Sequence, residues 1–119
     1  MAAELTREQR IKEEEKLILK LLHKMEPDRK KSASSLIQNA AFMAITLQDL
    51  QKDINENGTT ERYQNGANQY GIKKSSSVEI YNVMIKNYSQ TMKQIHDLLP
   101  KEAKELESDG FDEFVRKRS

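Results

Sequence analysis

Leu36, Ala40, Met43, Leu47, Leu50 and Ile54 follow one another in alternating steps of four and three residues. Steps of that size place side chains on one face of a helix. The pattern predicts a long central helix over residues 27–57. Pro27 suits its first turn, where a missing N–H costs nothing. Asn57-Gly58 closes it by a left-handed terminal residue. A second face is apolar too, through Ile37, Ala41, Ala44 and Ile45, with Phe42 between. A helix apolar on both sides is buried on both sides. The expectation is one face packed on its own subunit and the other open to a neighbouring subunit, with Ala40, Ala41 and Ala44 permitting close approach.

The same period recurs on either side. Over residues 76–99 the stripe is Tyr81, Met84, Ile85, Tyr88, Met92, Ile95 and Leu99. Ser76 with Glu79 three residues on reads as a capping box, and Pro100 ends the helix. Over residues 4–25, Thr6 and Gln9 form another capping box. Ile11, Ile18, Leu22 and Met25 make the stripe, widened by Leu17, Leu19 and Leu21. The half from Arg7 to Lys16 is nearly all charged and is expected to be solvated. The two long helices, 27–57 and 76–99, are expected to pack antiparallel.

Between them, residues 58–75 form a polar, turn-rich connector. Asn65-Gly66 separates Thr59–Gln64 from Ala67–Ile72, the signal for a two-residue type I′ hairpin. The runs are short and weakly patterned, so an irregular loop fits as well. Residues 100–119 read as a tail, with an apolar patch of Phe111, Phe114 and Val115 that docks it. The whole is expected to be one all-α domain: a helical hairpin of long amphipathic helices with a short β-hairpin-like connector, oligomeric.

Composition sharpens that last point. Of 119 residues, 36% are hydrophobic and 33% charged, a low apolar share for a monomer of this size. Either the fold is thin or the chain completes its burial against copies of itself. The net charge of +1 requires any basic surface to be local. There is no cysteine, hence no disulfide framework. The N-terminal run MAAELTREQRIKEEEK lacks the apolar segment of a signal peptide, and no stretch is long and apolar enough to span a bilayer. An intracellular soluble protein is expected.

No catalytic constellation is legible, so no enzyme activity, cofactor or metal is expected. His23 and His96 lie too far apart for a metal motif. Asp49, Asp53 and Glu56 share one side of a helix, which an exposed acidic face explains better than a cation site. Capping explains the serines of Lys73-Lys74-Ser75-Ser76-Ser77 better than a nucleophile does. Binding surfaces are the stronger candidates. Lys24, Arg29, Lys30 and Lys31 cluster at the first helix junction. Lys73 and Lys74 precede a helix N-terminus, a place that favours anions. Arg116, Lys117 and Arg118 lie near the end of the sequence. Each group suits a phosphate backbone, although clusters of this size also arise by chance in so charged a chain. Leu36, Ala40, Met43, Leu47, Leu50, Tyr63 and Tyr70 are the candidate subunit contacts. The two tyrosines flank Asn65-Gly66, where cross-strand packing is favoured over stacking on bases.

The order of long helix, turn-bearing polar segment (Gln64-Asn65-Gly66), lysine-rich approach (Ile72-Lys73-Lys74-Ser75-Ser76-Ser77), amphipathic helix (Val78 to Leu98) and Leu99-Pro100 ending resembles the small terminase subunits of tailed phages and prophages. Leu36-Ile37-Gln38-Asn39-Ala40-Ala41-Phe42-Met43 is similar to related prophage proteins. The resemblance covers roughly residues 33–100. Ser75-Ser76 stands where that family usually has Asn-Pro, and Leu98-Leu99-Pro100 lacks the usual preceding glycine. The resemblance implies a non-catalytic, ring-forming homo-oligomer that binds double-stranded viral DNA. It further implies regulation of the large ATPase and nuclease subunit, in the cytoplasm of a bacterial host. A helical protein–protein interaction module without a nucleic-acid role is the alternative. The chain is short for a separate DNA-binding domain, an oligomerisation domain and a tail that engages the large subunit.

Overall fold

A computed structural model describes residues 4–22, 25–99 and 115–116. The elements in order are α1 (Arg7–Leu21), α2 (Pro27–Ser32), α3 (Ser34–Asn57), β1 (Thr60–Gln64), β2 (Tyr70–Lys74) and α4 (Ser76–Asp97). The chain is thus mostly helical with one small antiparallel sheet.

The central helix is broken once. Residues 27–57 divide at Ala33 into a single short helix and α3, where an unbroken helix was expected. Ser32 Oγ donates to the Asp28 carbonyl at 3.2 Å. Hydroxyls that bond back to the preceding turn compete with the helix ladder, and Ser34 and Ser35 continue the serine-rich run. Ala33, fully buried, is the residue at which the two helices meet.

α3 carries the core. Its 24 residues span about 36 Å at 1.5 Å per residue. α1 packs on one side and α4 on the other. The polar contacts give the direction of each pairing. Arg7 and Arg10, at the start of α1, meet Asp49 in the second half of α3. Ser77 at the start of α4 donates to Asp53, Tyr81 accepts from Gln51, and Leu98 beyond its end accepts from Arg29. Both neighbours therefore run antiparallel to α3. Ile18, Leu22, Ile37, Ala40, Ala41, Ala44, Leu47, Tyr88, Met92, Ile95 and Leu99 form one buried cluster. Both apolar faces of α3 contribute to burial within the chain, Ala40 and Leu47 on one and Ile37, Ala41, Ala44 and Ile45 on the other, while Leu36, Met43 and Leu50 are half-buried and Phe42 is 49% exposed.

The charged half of α1 is not simply solvated. Glu14 is buried and Ile11 is half-buried against the core. Arg7 Nη1 and Arg10 Nη1 reach the two Asp49 oxygens at 2.7 and 2.8 Å. Arg7 also donates to Thr46 and lies 5.0 Å from the Phe42 ring centroid. Leu17 and Leu19 face outward instead. The Thr6–Gln9 capping box forms in both directions.

The connector is a hairpin with a longer turn than two residues. Thr60 pairs with Lys74 and Gln64 with Tyr70, so residues 65–69 form a five-residue loop closed by Asn65 N–H to the Gln69 carbonyl at 2.8 Å. Gly66 alone in that loop has positive φ, at 98°. A type I′ turn needs positive φ at both central residues, and Asn65 does not supply it. The second strand consequently starts three residues later than expected and takes up Lys73 and Lys74. At the hairpin base, Ser75 N–H donates to the Thr59 carbonyl at 2.9 Å. That bond fixes Ser75, rather than Ser76, as the α4 cap, and its hydroxyl accepts from Val78 N–H at 3.1 Å. Gly58, with φ 83° and ψ −172°, ends α3 in a glycine-only conformation that is extended rather than left-handed helical.

Candidate nucleic-acid and subunit interfaces

The basic residues fall at opposite ends of α3. Arg29, Lys30 and Lys31 lie on α2. Arg29 Nη1 donates to the Leu98 carbonyl at 3.0 Å, where the unsatisfied carbonyls at the end of α4 attract a cation. Lys30 is half-buried and Lys31 exposed. Lys73 and Lys74 lie on β2, at the end of the body where α3 stops. Lys73 faces Glu61 directly across the ladder and pairs with it at 3.3 Å. The Lys73 ammonium holds the Glu61 carboxyl below its ordinary range, helped by Ser76. Lys74 is exposed. The two groups are therefore separated by roughly the 36 Å length of α3. Arg116 is exposed next to Val115, which packs on the core. Lys24, Lys117 and Arg118, like His23, Phe111 and Phe114, lie outside the described residues.

The candidate subunit contacts divide just as sharply. Ala40 and Leu47 have no exposed surface and belong to the chain's own core. Leu36 and Met43 pack half-buried against the same core, and Leu50 is half-buried. Tyr63 and Tyr70 are exposed but do not stack on one another. The register sets Tyr63 opposite Gly71 and Tyr70 opposite Gln64. Tyr63 covers Gly71 so closely that a Cβ there would lie 2.6 Å from its ring. Tyr70 instead lies under Arg62, 5.8 Å from its guanidinium.

Three exposed apolar residues were missed by sequence reasoning. Ile72 is 72% exposed on the hairpin, and Ile80 and Val83 are 49% and 63% exposed on α4. Ile80 and Val83 line a shallow groove with Glu79, Met84 and Asn87. The available signal was periodicity. Both stand off the stripe that runs through Tyr81, Tyr88 and Met92, and Ile72 interrupts an otherwise polar connector. Apolar residues outside the buried stripe mark a second surface.

The acidic residues of α3 have separate local partners. Asp49 holds Arg7 and Arg10. Asp53 accepts from Ser77 and, at 2.7 Å, from Asn57 Nδ2. The Ser77 hydroxyl, then the Asn57 amide, lower its pKa below the ordinary 3.8. Among the described residues no group of three or more His, Asp or Glu could hold a metal ion. Nor is any described helix long and apolar enough to cross a membrane. No family model, no curated protein and no solved structure matches this chain.

Proposed function

We propose that this chain is a phage or prophage terminase small subunit, a non-catalytic oligomeric adaptor. It binds double-stranded viral DNA and regulates the large ATPase and nuclease subunit in the bacterial cytoplasm. The observation that carries the reading is the unit α3–hairpin–α4. It coincides with the part of the sequence that resembles those subunits, and it leaves Tyr70, Ile72, Ile80 and Val83 exposed. A two-stranded hairpin is marginal on its own in water, so one with solvent on its apolar residues calls for a partner. Lys31, exposed on α2 beyond the start of α3, is the leading phosphate contact.

Binding to duplex DNA of mixed sequence, followed across salt concentration, tests the reading. Neutralising Lys30, Lys31, Lys73 and Lys74 to Gln is expected to weaken binding at least about tenfold and to flatten the salt dependence, because fewer counterions are released. A monomer with no affinity for DNA at low salt and none for a large subunit sinks the proposal. The second reading is a prophage interaction module without nucleic acid. It is favoured by the pairing of Lys73 with Glu61 and of Arg29 with the Leu98 carbonyl. Those two cations are already engaged within the chain.

A further inference from the structure

The geometry points to a head-to-tail contact between copies of this chain, in which the outer face of one hairpin seats on the α4 groove of the next copy. Alternation along the strands settles what the hairpin offers. The register places Arg62 opposite Ile72, and Gln64 opposite Tyr70, with Thr60 and Lys74 on the same face. That face carries two cations and no acid, and its apolar residues Tyr70 and Ile72 are 62% and 72% exposed. The opposite face holds the Glu61–Lys73 pair and the Tyr63 ring on Gly71; it is satisfied by itself.

The groove on α4 is the complement. Ile80, Val83 and Met84 supply apolar lining, and Glu79 is the single charged residue among its walls. Neither surface covers the other within one chain, since both stay exposed. Bringing them together between copies buries apolar against apolar and sets Arg62 and Lys74 beside Glu79. Opposed charges of this kind orient a contact and suppress wrong pairings. In the head-to-tail arrangement each copy places its hairpin on one neighbour and offers its groove to another, and repetition yields a closed ring or an open filament. The inference rests on the oligomeric part of the adaptor reading and names its subunit contact; DNA binding does not enter it.

Light scattering on a sizing column tests it with Ile72→Asp, Val83→Asp and their equimolar mixture. Both sites are exposed, so far-UV circular dichroism should match the unsubstituted chain, and any fall in melting temperature should depend on protein concentration, as loss of assembly requires. The expected result is an assembly of three or more subunits for the unsubstituted chain and monomers for each variant. The mixture should give a discrete 1:1 pair of two 13.8 kDa chains, because one intact hairpin face and one intact groove remain. Lys74→Glu should weaken assembly at least about tenfold, and adding Glu79→Lys in the same chain should restore it. A multi-subunit assembly unaffected by either Asp variant overturns this contact and leaves the oligomeric reading standing. A mixture that stays monomeric overturns the head-to-tail arrangement. A monomeric unsubstituted chain overturns both.

Discussion

Leu47 and Ile72 are side chains of equal size and similar hydrophobicity, yet Leu47 has no exposed surface and Ile72 is 72% exposed. The difference separates two regions. In the helical body, α3 is flanked on both sides and its apolar side chains find partners within the chain. In the hairpin, backbone pairing, the base bonds of Ser75 and Ser76 and the Glu61–Lys73 pair hold the strands. Apolar burial contributes little there. Burial holds the body, whereas the hairpin and the α4 groove keep apolar residues exposed, as the proposed contact requires. A substitution should therefore read out as lost stability in one region and as lost association in the other.

The largest expected effect tests the body. Leu47→Ala removes a fully buried side chain from the centre of the cluster and should cost about 2–5 kcal/mol in urea denaturation. Ile72→Ala, measured at a protein concentration where the chain is monomeric, should change stability by less than about 0.5 kcal/mol. Equal losses would erase the distinction between the regions. Next comes the seam that joins them. Ser75→Ala removes the α4 cap and should cost about 1 kcal/mol, with amide exchange at Val78 rising first. Asp49→Ala unpairs Arg7 and Arg10, which are roughly one-third exposed or more, so solvent screening limits the loss to about 1 kcal/mol. That loss should shrink as salt is added.

The smallest effect sharpens the junction between α3 and the hairpin. Asp53 has a lowered pKa in the folded chain, so the folded state favours its ionised form. Its contribution is present above about pH 4 and disappears as pH falls through the lowered value. Monitored by Ser77 and Asn57 chemical shifts, the change should be absent in Asp53→Asn. A junction insensitive to acid in the unsubstituted chain would show that these hydrogen bonds do not hold the two regions together.

Much of the body was legible because helical burial is written at short range. The α4 stripe from Tyr81 to Leu99 and the double-sided α3 follow from spacings of three and four residues. Glu14 was not legible. Its charge argues for solvent, yet the folded chain leaves it only 3% exposed. The hairpin was legible as a turn at Asn65-Gly66 but not in its register. A five-residue loop and a two-residue turn share the same local signal, and the choice between them moves Lys73 and Lys74 into a strand. The proposed contact was the least legible part. Ile72 and Val83 stand out as the two most exposed large aliphatic side chains among the described residues only once the folded exposures are known.

By itself, the sequence determined the helical periodicity, the caps at Thr6 and near Ser75, the breaks at Pro27 and Gly58, and the absence of any disulfide. Each depends on residues within a turn or two of one another. Only the tertiary structure decided that α1 and α4 both pack on α3, that Asp49 gathers two arginines from α1, and that the basic groups stand at opposite ends of the body. Those outcomes depend on which surfaces meet across 30 or more residues. Spacing along the chain shows that a face must be buried; it does not say by what.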